Sequence, residues 1–266
     1  MGGRDERPAQ LNEPQRVLEL VTEAGELLLK NGAEVSRTQQ TMEIMAKSLG
    51  VADFHGYVLT NGIFTSIGPE NNMPAQVRSV PASTVHLGRV EAVNQLSRRI
   101  AGGEVGLDEA YAELERIRKM PCAPAPGRVL ACGFGSACFA ILFGGVWQDG
   151  VVALAVGLGL QLVLLGLDRW GAGKLFTCFL GAAFVALATL LIFAAGIGVN
   201  SDKAIIGALM PLVPGMALTL GIRDLIDSDF LSGVIRMLNA LLTAVCIALG
   251  AGLVLALANL IEGVAL

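Results

Sequence analysis

The stretch Met210–Asp224 reads MPLVPGMALTLGIRD and has the composition of a membrane helix apart from its closing Arg-Asp. Pro211, Pro214 and Gly215 nevertheless fall inside it. A proline in a helix interior removes a backbone donor and clashes with the preceding turn, which costs about 3 kcal/mol. In a bilayer, such a break is tolerated where neighbouring protein or a wet cavity satisfies the freed carbonyls. The stretch therefore predicts a broken membrane helix.

Transporters use broken helices to present backbone ends to a substrate, and helix N-termini favour carboxylates. We therefore expect the backbone of this break to line a substrate pathway, while a purely structural kink is the alternative. The residues of the break are Pro211, Leu212, Val213, Pro214 and Gly215.

The composition on either side of the break divides the chain into two halves. Of the 266 residues, 53% are hydrophobic and only 16% charged, whereas soluble domains average nearer a quarter charged. Most charged residues precede residue 128, so the first half has the composition of a soluble protein and the second that of a membrane protein. The net charge of −4, without a basic stripe, disfavours nucleic acid as a partner.

Five uncharged stretches in the second half are candidates for membrane spans, since a span needs about 20 apolar residues. They are Val129–Gln148, Gly150–Leu167, Leu175–Ser201, Ala204–Ile222 and Met237–Ile261. Dense small residues favour close packing of these helices. Because Lys and Arg concentrate before the first span and in the loops on that side, the N-terminal half is expected in the cytoplasm.

The pattern of the first half predicts a small α+β domain. Two amphipathic helices precede a predicted hairpin at Asn61-Gly62 and a third strand at Ala75–Val80. Two more helices are expected near Thr84–Ala101 and Asp108–Lys119. We therefore predict an α-helical integral membrane protein with a cytoplasmic α+β domain over residues 1–120, a Pro-rich linker over 121–127 and a five-helix transmembrane bundle over 128–266.

No recognisable catalytic, cofactor or metal motif is present. His55 and His86 have no HExxH or CxxC beside them, and there is no P-loop, GxSxG or GxGxxG. The cysteines are interpreted as small buried hydrophobes rather than ligands or disulfides; they are Cys122, Cys132, Cys138, Cys178 and Cys246. We predict no catalytic residue, no metal site and no cofactor.

Two polar segments remain as candidates for a role in transport. In the first, Glu34 and Arg37 stand three residues apart, which predicts either a solvated ion pair or, with Gly32 and Ala33, a docking or gating contact at the membrane face. The second lies at the predicted cytoplasmic end of the broken span, as either an ordinary polar loop or a gate. Its residues are Arg223, Asp224, Asp227, Asp229, Gly233 and Arg236.

Four segments carry a resemblance to a known family. They are LLLKNGAEV, VLTNGIFTSI, GSACFAILFGG and, above all, LVPGMALTLGIRDLIDSDFLSGVIR (residues 212–236). The chain resembles the threonine/serine exporter family and, within it, the larger subunit of two-component exporters that include a bacterial succinate exporter. The family motif falls on Gly32, Ala33, Pro211, Pro214, Gly215, Arg223, Asp224, Asp229, Gly233 and Arg236.

The resemblance implies a cytoplasmic N-terminal domain, a five-span bundle in the bacterial inner membrane, and a separately encoded small multi-span subunit as partner. The expected function is secondary export of small carboxylates, either threonine/serine-type amino acids or succinate-like dicarboxylates. Two alternatives stay open: a membrane-anchored enzyme with its chemistry in the N-terminal domain, and a scaffold subunit whose partner alone forms the pathway.

Overall fold

The computed structural model describes residues 12–68, 74–80 and 85–264. The chain forms two compact units. The first unit combines the described part of Met1–Cys122 with Thr219–Arg236, and the second combines Ala123–Leu218 with Met237–Leu266. The polar segment after the proline break thus clusters with the N-terminal residues, an arrangement that the sequence did not predict.

The first unit is α+β. Its elements are α1 (Glu13–Lys30), α2 (Val35–Ser48), β1 (Phe54–Leu59), β2 (Gly62–Ile67), β3 (Ala75–Ser79), α3 (Leu87–Ala101) and α4 (Leu107–Arg118). The strands form one antiparallel sheet in the order β1-β2-β3. Helix α3 begins later than the expected Thr84, because His86 caps it by accepting a hydrogen bond from the N–H of Arg89 at Nδ1.

The predicted hairpin is present, but its turn lies one residue earlier than Asn61-Gly62. Gly62 pairs with Leu59 on one side and with Ser79 on the other, so it is the first residue of β2. Thr60 and Asn61 form the turn. Pairing to both neighbouring strands holds Gly62 in the sheet.

One face of α1 supplies much of the core of this unit. Leu20, Val21 and Ala24 are fully buried, as their helical spacing predicts. Gly25 lets α2 approach closely, since a Cβ there would lie 2.3 Å from the sulfur of Met42. These contacts hold α1 in the core, and its C-terminal end leads to the residues of the candidate site.

The second unit is helical. Its elements are α5 (Ala125–Leu142), α6 (Trp147–Arg169), α7 (Lys174–Ala194), α8 (Ser201–Leu209), a 3₁₀ turn (Met210–Leu212), and the portions of α9 (Gly215–Ile226) and α10 (Phe230–Val264) that belong to it. Four helices of the described chain are long and apolar enough to cross a membrane, and the bent pair formed by α8 and α9 makes a fifth candidate. The prediction of a multi-pass helical membrane protein is confirmed.

Several span boundaries differ from those predicted. Helix α5 begins at Ala125, within the expected linker, and ends at Leu142 rather than continuing to Gln148. Gly144, at a φ of 88°, turns the chain there. Helix α7 ends at Ala194 rather than near Ser201, where Gly196 also has a positive φ. Glycines in positive-φ conformations therefore end these helices before the uncharged sequence ends.

Small residues allow close helix packing in the second unit, as expected. A Cβ on Gly207 would lie 2.5 Å from the backbone nitrogen of Ala140, and one on Gly250 would lie 2.2 Å from the carbonyl oxygen of Phe179. Neither position can accept a side chain unless a helix backbone moves.

A buried carboxylate that the sequence did not single out ties two loops of the second unit together. Asp149 is fully buried and accepts hydrogen bonds from the N–H groups of Val146, Val199 and Asn200, at 2.8 to 3.0 Å, and from the side-chain amide of Asn200 at 3.0 Å. Its charge is thus compensated by four donors. Asp149 holds the start of α6 against the segment that precedes α8.

Candidate functional site

The broken helix predicted from the prolines is present. Helix α8 runs into a 3₁₀ turn that contains Pro211, and Val213 is extended, with φ −64° and ψ 128°. Helix α9 starts again at Gly215, and the carbonyl of Pro214 accepts the N–H of Leu218 at 3.1 Å. The two helices differ in direction by 58°. The break is therefore confirmed, and its role as substrate-lining backbone stays a prediction.

Two polar segments that the sequence singled out separately meet inside the first unit. They are residues 33–37, where α2 begins, and residues 223–236, where α9 ends and α10 begins; we call them together the polar cluster. Three side-chain contacts join them: Glu34 Oε1 with Arg223 Nη1 at 3.0 Å, the Ala33 carbonyl with Arg236 Nη2 at 3.2 Å, and Ser36 Oγ with Asp227 Oδ2 at 3.4 Å.

Glu34 takes part in two ion pairs. Besides Arg223, it lies 3.6 Å from Arg37, measured between Glu34 Oε2 and Arg37 Nε. The side chain of Arg37 is 68% exposed, so this pair matches the solvated ion pair that was one of the two sequence interpretations. The Arg223 side chain is 51% exposed, while that of Glu34 is only 16% exposed. Glu34 therefore holds a cation that solvent and small solutes can still reach.

Asp224 and Arg236 form the buried ion pair of the polar cluster. Arg236 Nε lies 3.0 Å from Asp224 Oδ2; the Arg236 side chain is 15% exposed, and that of Asp224 is 1% exposed. Neither atom makes a well-aligned hydrogen bond, so the contact is an ion pair without hydrogen-bond geometry. Removing one partner from such a pair leaves the other as an uncompensated buried charge.

The turn that carries Gly32 and Ala33 is held by backbone geometry and by Asn31. Gly32 has a φ of 91°, and a Cβ there would lie 3.1 Å from Val85. The buried Asn31 donates from its side chain to the Leu27 carbonyl, and its own carbonyl accepts the N–H of His86. This turn presents the Ala33 carbonyl to Arg236.

The turn between α9 and α10 gives structural roles to two further candidates. Ser228 has a positive φ of 69°, and the N–H of Asp229 donates to the carbonyl of Asp224 at 2.8 Å, as in a Schellman motif. Asp229 stands at the N-cap position of α10 and accepts the N–H of Gly233 at 2.9 Å through its carbonyl. A Cβ on Gly233 would lie 3.0 Å from the carbonyl oxygen of Gly221, so this glycine lets α9 and α10 approach.

Two serines of the polar cluster were missed. Ser36 stands beside the predicted Glu34 but carries no sequence signal of its own. Ser232 is 1% exposed, and its hydroxyl finds no hydrogen-bond partner in the described part of the chain. Its spacing of four residues from Arg236, which puts both on one helix face, was the available signal.

The charges of the polar cluster suit recognition of a carboxylate. A guanidinium binds carboxylates through two parallel donors, and Arg223 is exposed enough for an external carboxylate to compete with Glu34. Over the described residues, no group of three or more His, Cys, Asp or Glu side chains is arranged to hold a metal ion. The polar cluster therefore contains arginines that carboxylates of the same chain hold in place.

The sequence is similar to a family of membrane exporters. Residues 19–258 match the family model described as "Putative threonine/serine exporter". The chain is 23% identical over 254 residues to the threonine/serine exporter of Corynebacterium glutamicum, an alignment that covers 92% of this chain and 52% of that protein. It is 26% identical over 244 residues to a Mycobacterium tuberculosis protein named "Probable threonine/serine exporter", with coverages of 89% and 45%.

A fungal protein is also similar. Pheromone-regulated membrane protein 10 of Pichia sorbitophila is 23% identical over 248 residues, which cover 89% of this chain and 24% of that protein. The chain thus spans about half the length of the two bacterial relatives and a smaller share of the fungal one. No solved structure matches the chain.

Proposed function

Because the chain belongs to the threonine/serine exporter family, we propose that it is the larger subunit of a secondary exporter of small carboxylates. Threonine/serine-type amino acids are the first substrate class, in line with the names of the two bacterial relatives. Succinate-like dicarboxylates are the second class, since they share the carboxylate that an arginine recognises. The chain works in the bacterial inner membrane with its N-terminus in the cytoplasm.

The observation that carries this proposal is the meeting of residues 33–37 with residues 223–236. Both segments contain family-motif residues, and they are joined by the Glu34–Arg223 ion pair and by the hydrogen bond from Arg236 to the Ala33 carbonyl. Substrate binding drives loops and domains between open and closed arrangements in many proteins. A substrate carboxylate that takes Arg223 from Glu34 loosens one of these two contacts, so the polar cluster serves as a gate that responds to substrate.

The broken helix supplies the second element of the proposed pathway. Prolines at 211 and 214 have no N–H. The N–H groups in the first turn of α9 point along the helix axis toward the break, where that of Gly215 already donates to the Val213 carbonyl at 2.9 Å. A helix N-terminus of this kind attracts carboxylates. We assign the break to substrate passage and the polar cluster to gating.

The transporter is proposed to include a further membrane part. We propose that this part is a separately encoded small membrane subunit, as the resemblance to two-component exporters implies. Vesicles from a foreign host that makes this chain alone are then expected not to transport, whereas addition of that subunit restores transport.

The gate is tested in a strain of the native host from which this chain is deleted, so that any partner is present. Export of labelled substrate is measured after complementation with the wild type, Arg223→Gln or Pro214→Ala, with membrane levels of each variant checked by blotting. Both variants are expected to lower export at least tenfold. Arg98→Gln is the matched control, because Arg98 is an exposed arginine of α3 outside the polar cluster. Wild-type export by both site variants would overturn the assignment.

A further inference from the structure

We propose that strand β3 is an interface at which two copies of this chain pair edge to edge, so that their sheets join into one. The occupant of this edge is therefore a second copy. The two β3 strands run antiparallel about Val77, and the Val77 residues of the two copies lie opposite each other. The inference is independent of the proposed function, because it rests on the sheet of the first unit alone.

The outer edge of β3 carries backbone groups that have no hydrogen-bond partner in the described chain. β3 is the last strand of the sheet and pairs only with β2. At one end the Pro74 carbonyl accepts the N–H of Ile67, and at the other end the N–H of Val80 donates to the Asn61 carbonyl. Because alternate residues of a strand bond to opposite sides, the even-numbered residues bond toward β2. The N–H and C=O groups that point away from β2 belong to Ala75, Val77 and Ser79.

Antiparallel pairing about Val77 matches each of these groups with a group of the second copy. Val77 faces Val77, and Ala75 of either copy faces Ser79 of the other; each pair exchanges two hydrogen bonds. Both copies use the same surface, so the twofold symmetry closes the dimer. An exposed strand edge otherwise invites pairing with other chains. The dimer leaves no free β3 edge.

The side chains on the inner face of β3 favour a second copy over an unrelated strand. Gln76 Oε1 is buried and finds no hydrogen-bond partner in the described residues. Pairing about Val77 places Arg78 of the second copy directly opposite Gln76, at a non-hydrogen-bonded position where side chains approach closely. The guanidinium only donates hydrogen bonds, so it supplies the missing donor when the half-buried amide rotates toward it. By symmetry this contact forms twice.

Arg78 does not block the pairing, although an inward-facing charge on an edge strand ordinarily does. Glu23 of α1 attracts Arg78 within the same copy, so the charge of the arginine is already balanced. The residue opposite it in the dimer is an uncharged amide with an unused acceptor. The edge is therefore complementary to itself.

On the outer face, a row of exposed apolar side chains crosses the sheet to this edge. The register places Tyr57, Phe64 and Val77 side by side, and they are 55%, 45% and 67% exposed. The rings of Tyr57 and Phe64 lie 6.4 Å apart between centroids. In the dimer the two Val77 side chains meet, so the rows of both copies become continuous. Such cross-strand contacts between apolar side chains stabilise a sheet.

Disulfide cross-linking of the full chain in membranes tests the register. In a variant whose native cysteines are replaced, single cysteines are introduced as Ala75→Cys, Val77→Cys and Ser79→Cys, three exposed positions on one face. Val77→Cys is expected to form dimers by itself on mild oxidation. Ala75→Cys and Ser79→Cys should form dimers only with each other, when made together with different tags. Equal positions at 75 or 79 lie about 14 Å apart in the dimer, too far for a disulfide.

Two outcomes would overturn the proposal. Equal dimer yields from the three single variants would show random collision rather than a fixed register. Absence of dimers from both Val77→Cys and the mixed pair, with each variant present in the membrane, would show that the edges do not meet.

A charge test uses the yield of the mixed Ala75→Cys and Ser79→Cys pair. Adding Val77→Lys to both copies is expected to lower this yield severalfold, because like charges directly opposite destabilise a strand pair. Val77→Lys in one copy with Val77→Glu in the other should restore it. Ile44→Lys, at an exposed apolar residue of α2, is the matched control and should leave the yield unchanged. A yield that Val77→Lys in both copies does not lower would also overturn the proposal.

Discussion

Replacing Arg236 with methionine removes the cation of the buried ion pair while keeping much of the side-chain volume. Asp224 is then left 1% exposed with no cation at contact distance. Breaking a buried pair by removing one partner costs about 3–5 kcal/mol. Loss of the hydrogen bond to the Ala33 carbonyl adds about 1 kcal/mol. Arg236→Met should therefore open the polar cluster locally.

Hydrogen exchange measured by mass spectrometry reports this opening through the backbone amides of residues 31–37 and 223–236. The combined loss of about 4–6 kcal/mol corresponds to exchange that is faster by up to about 10³–10⁴-fold at pH 7.5. The double variant Asp224→Asn/Arg236→Met should recover most of the protection, since no unpaired charge remains.

The control is Arg223→Gln. Its side chain is 51% exposed, so loss of its ion pair with Glu34 should cost less than about 1 kcal/mol. The reasoning is refuted if Arg236→Met exchanges as slowly as the wild type at pH 7.5, or if the double variant exchanges as fast as the single one.

Three further outcomes are expected in thermal unfolding of the detergent-solubilised chain. Gly250→Ala should cost about 1–3 kcal/mol, because its Cβ would meet the Phe179 carbonyl at 2.2 Å, whereas Gly252→Ala, with open space around it, should be neutral or stabilising. Asp149→Asn should cost about 2–3 kcal/mol, because an amide donor would face the groups that now donate to the carboxylate; a melting temperature equal to that of the wild type would contradict its role. Burial raises the pKa of Glu23 above its usual value, so the folded state loses stability as pH rises through that pKa. Glu23→Gln should therefore become more stable relative to the wild type as pH rises from about 4, the ordinary glutamate pKa, through the raised pKa of the folded state. A stability difference that does not change with pH would contradict this.

Local chemistry made part of the fold predictable from the sequence. Proline lacks an N–H wherever it stands, so the break at Pro211 and Pro214 could be predicted without tertiary information. Apolar length likewise predicted the spans, because each helix must cross the same thickness of lipid. Their ends were predicted less well, since the turns at Gly144 and Gly196 lie inside uncharged sequence.

The site was predicted as two separate groups of residues rather than as one cluster. Glu34 and Arg223 are far apart in sequence, and only the fold brings them to 3.0 Å. The sequence also could not distinguish the buried Asp224 from Asp227, which lies three residues later and is exposed. Asp149 was missed for a similar reason, because a lone acidic residue between apolar stretches is typical of a loop. In the fold, four donors surround its carboxylate.

Transport by native membranes tests the central claim most directly. Inside-out vesicles are prepared from the native host with and without this chain, and uptake of labelled threonine, serine and succinate is measured. The account predicts uptake of at least one of the three only when the chain is present, and its loss in Arg223→Gln at equal protein level. Equal uptake with and without the chain, for all three compounds, would contradict it.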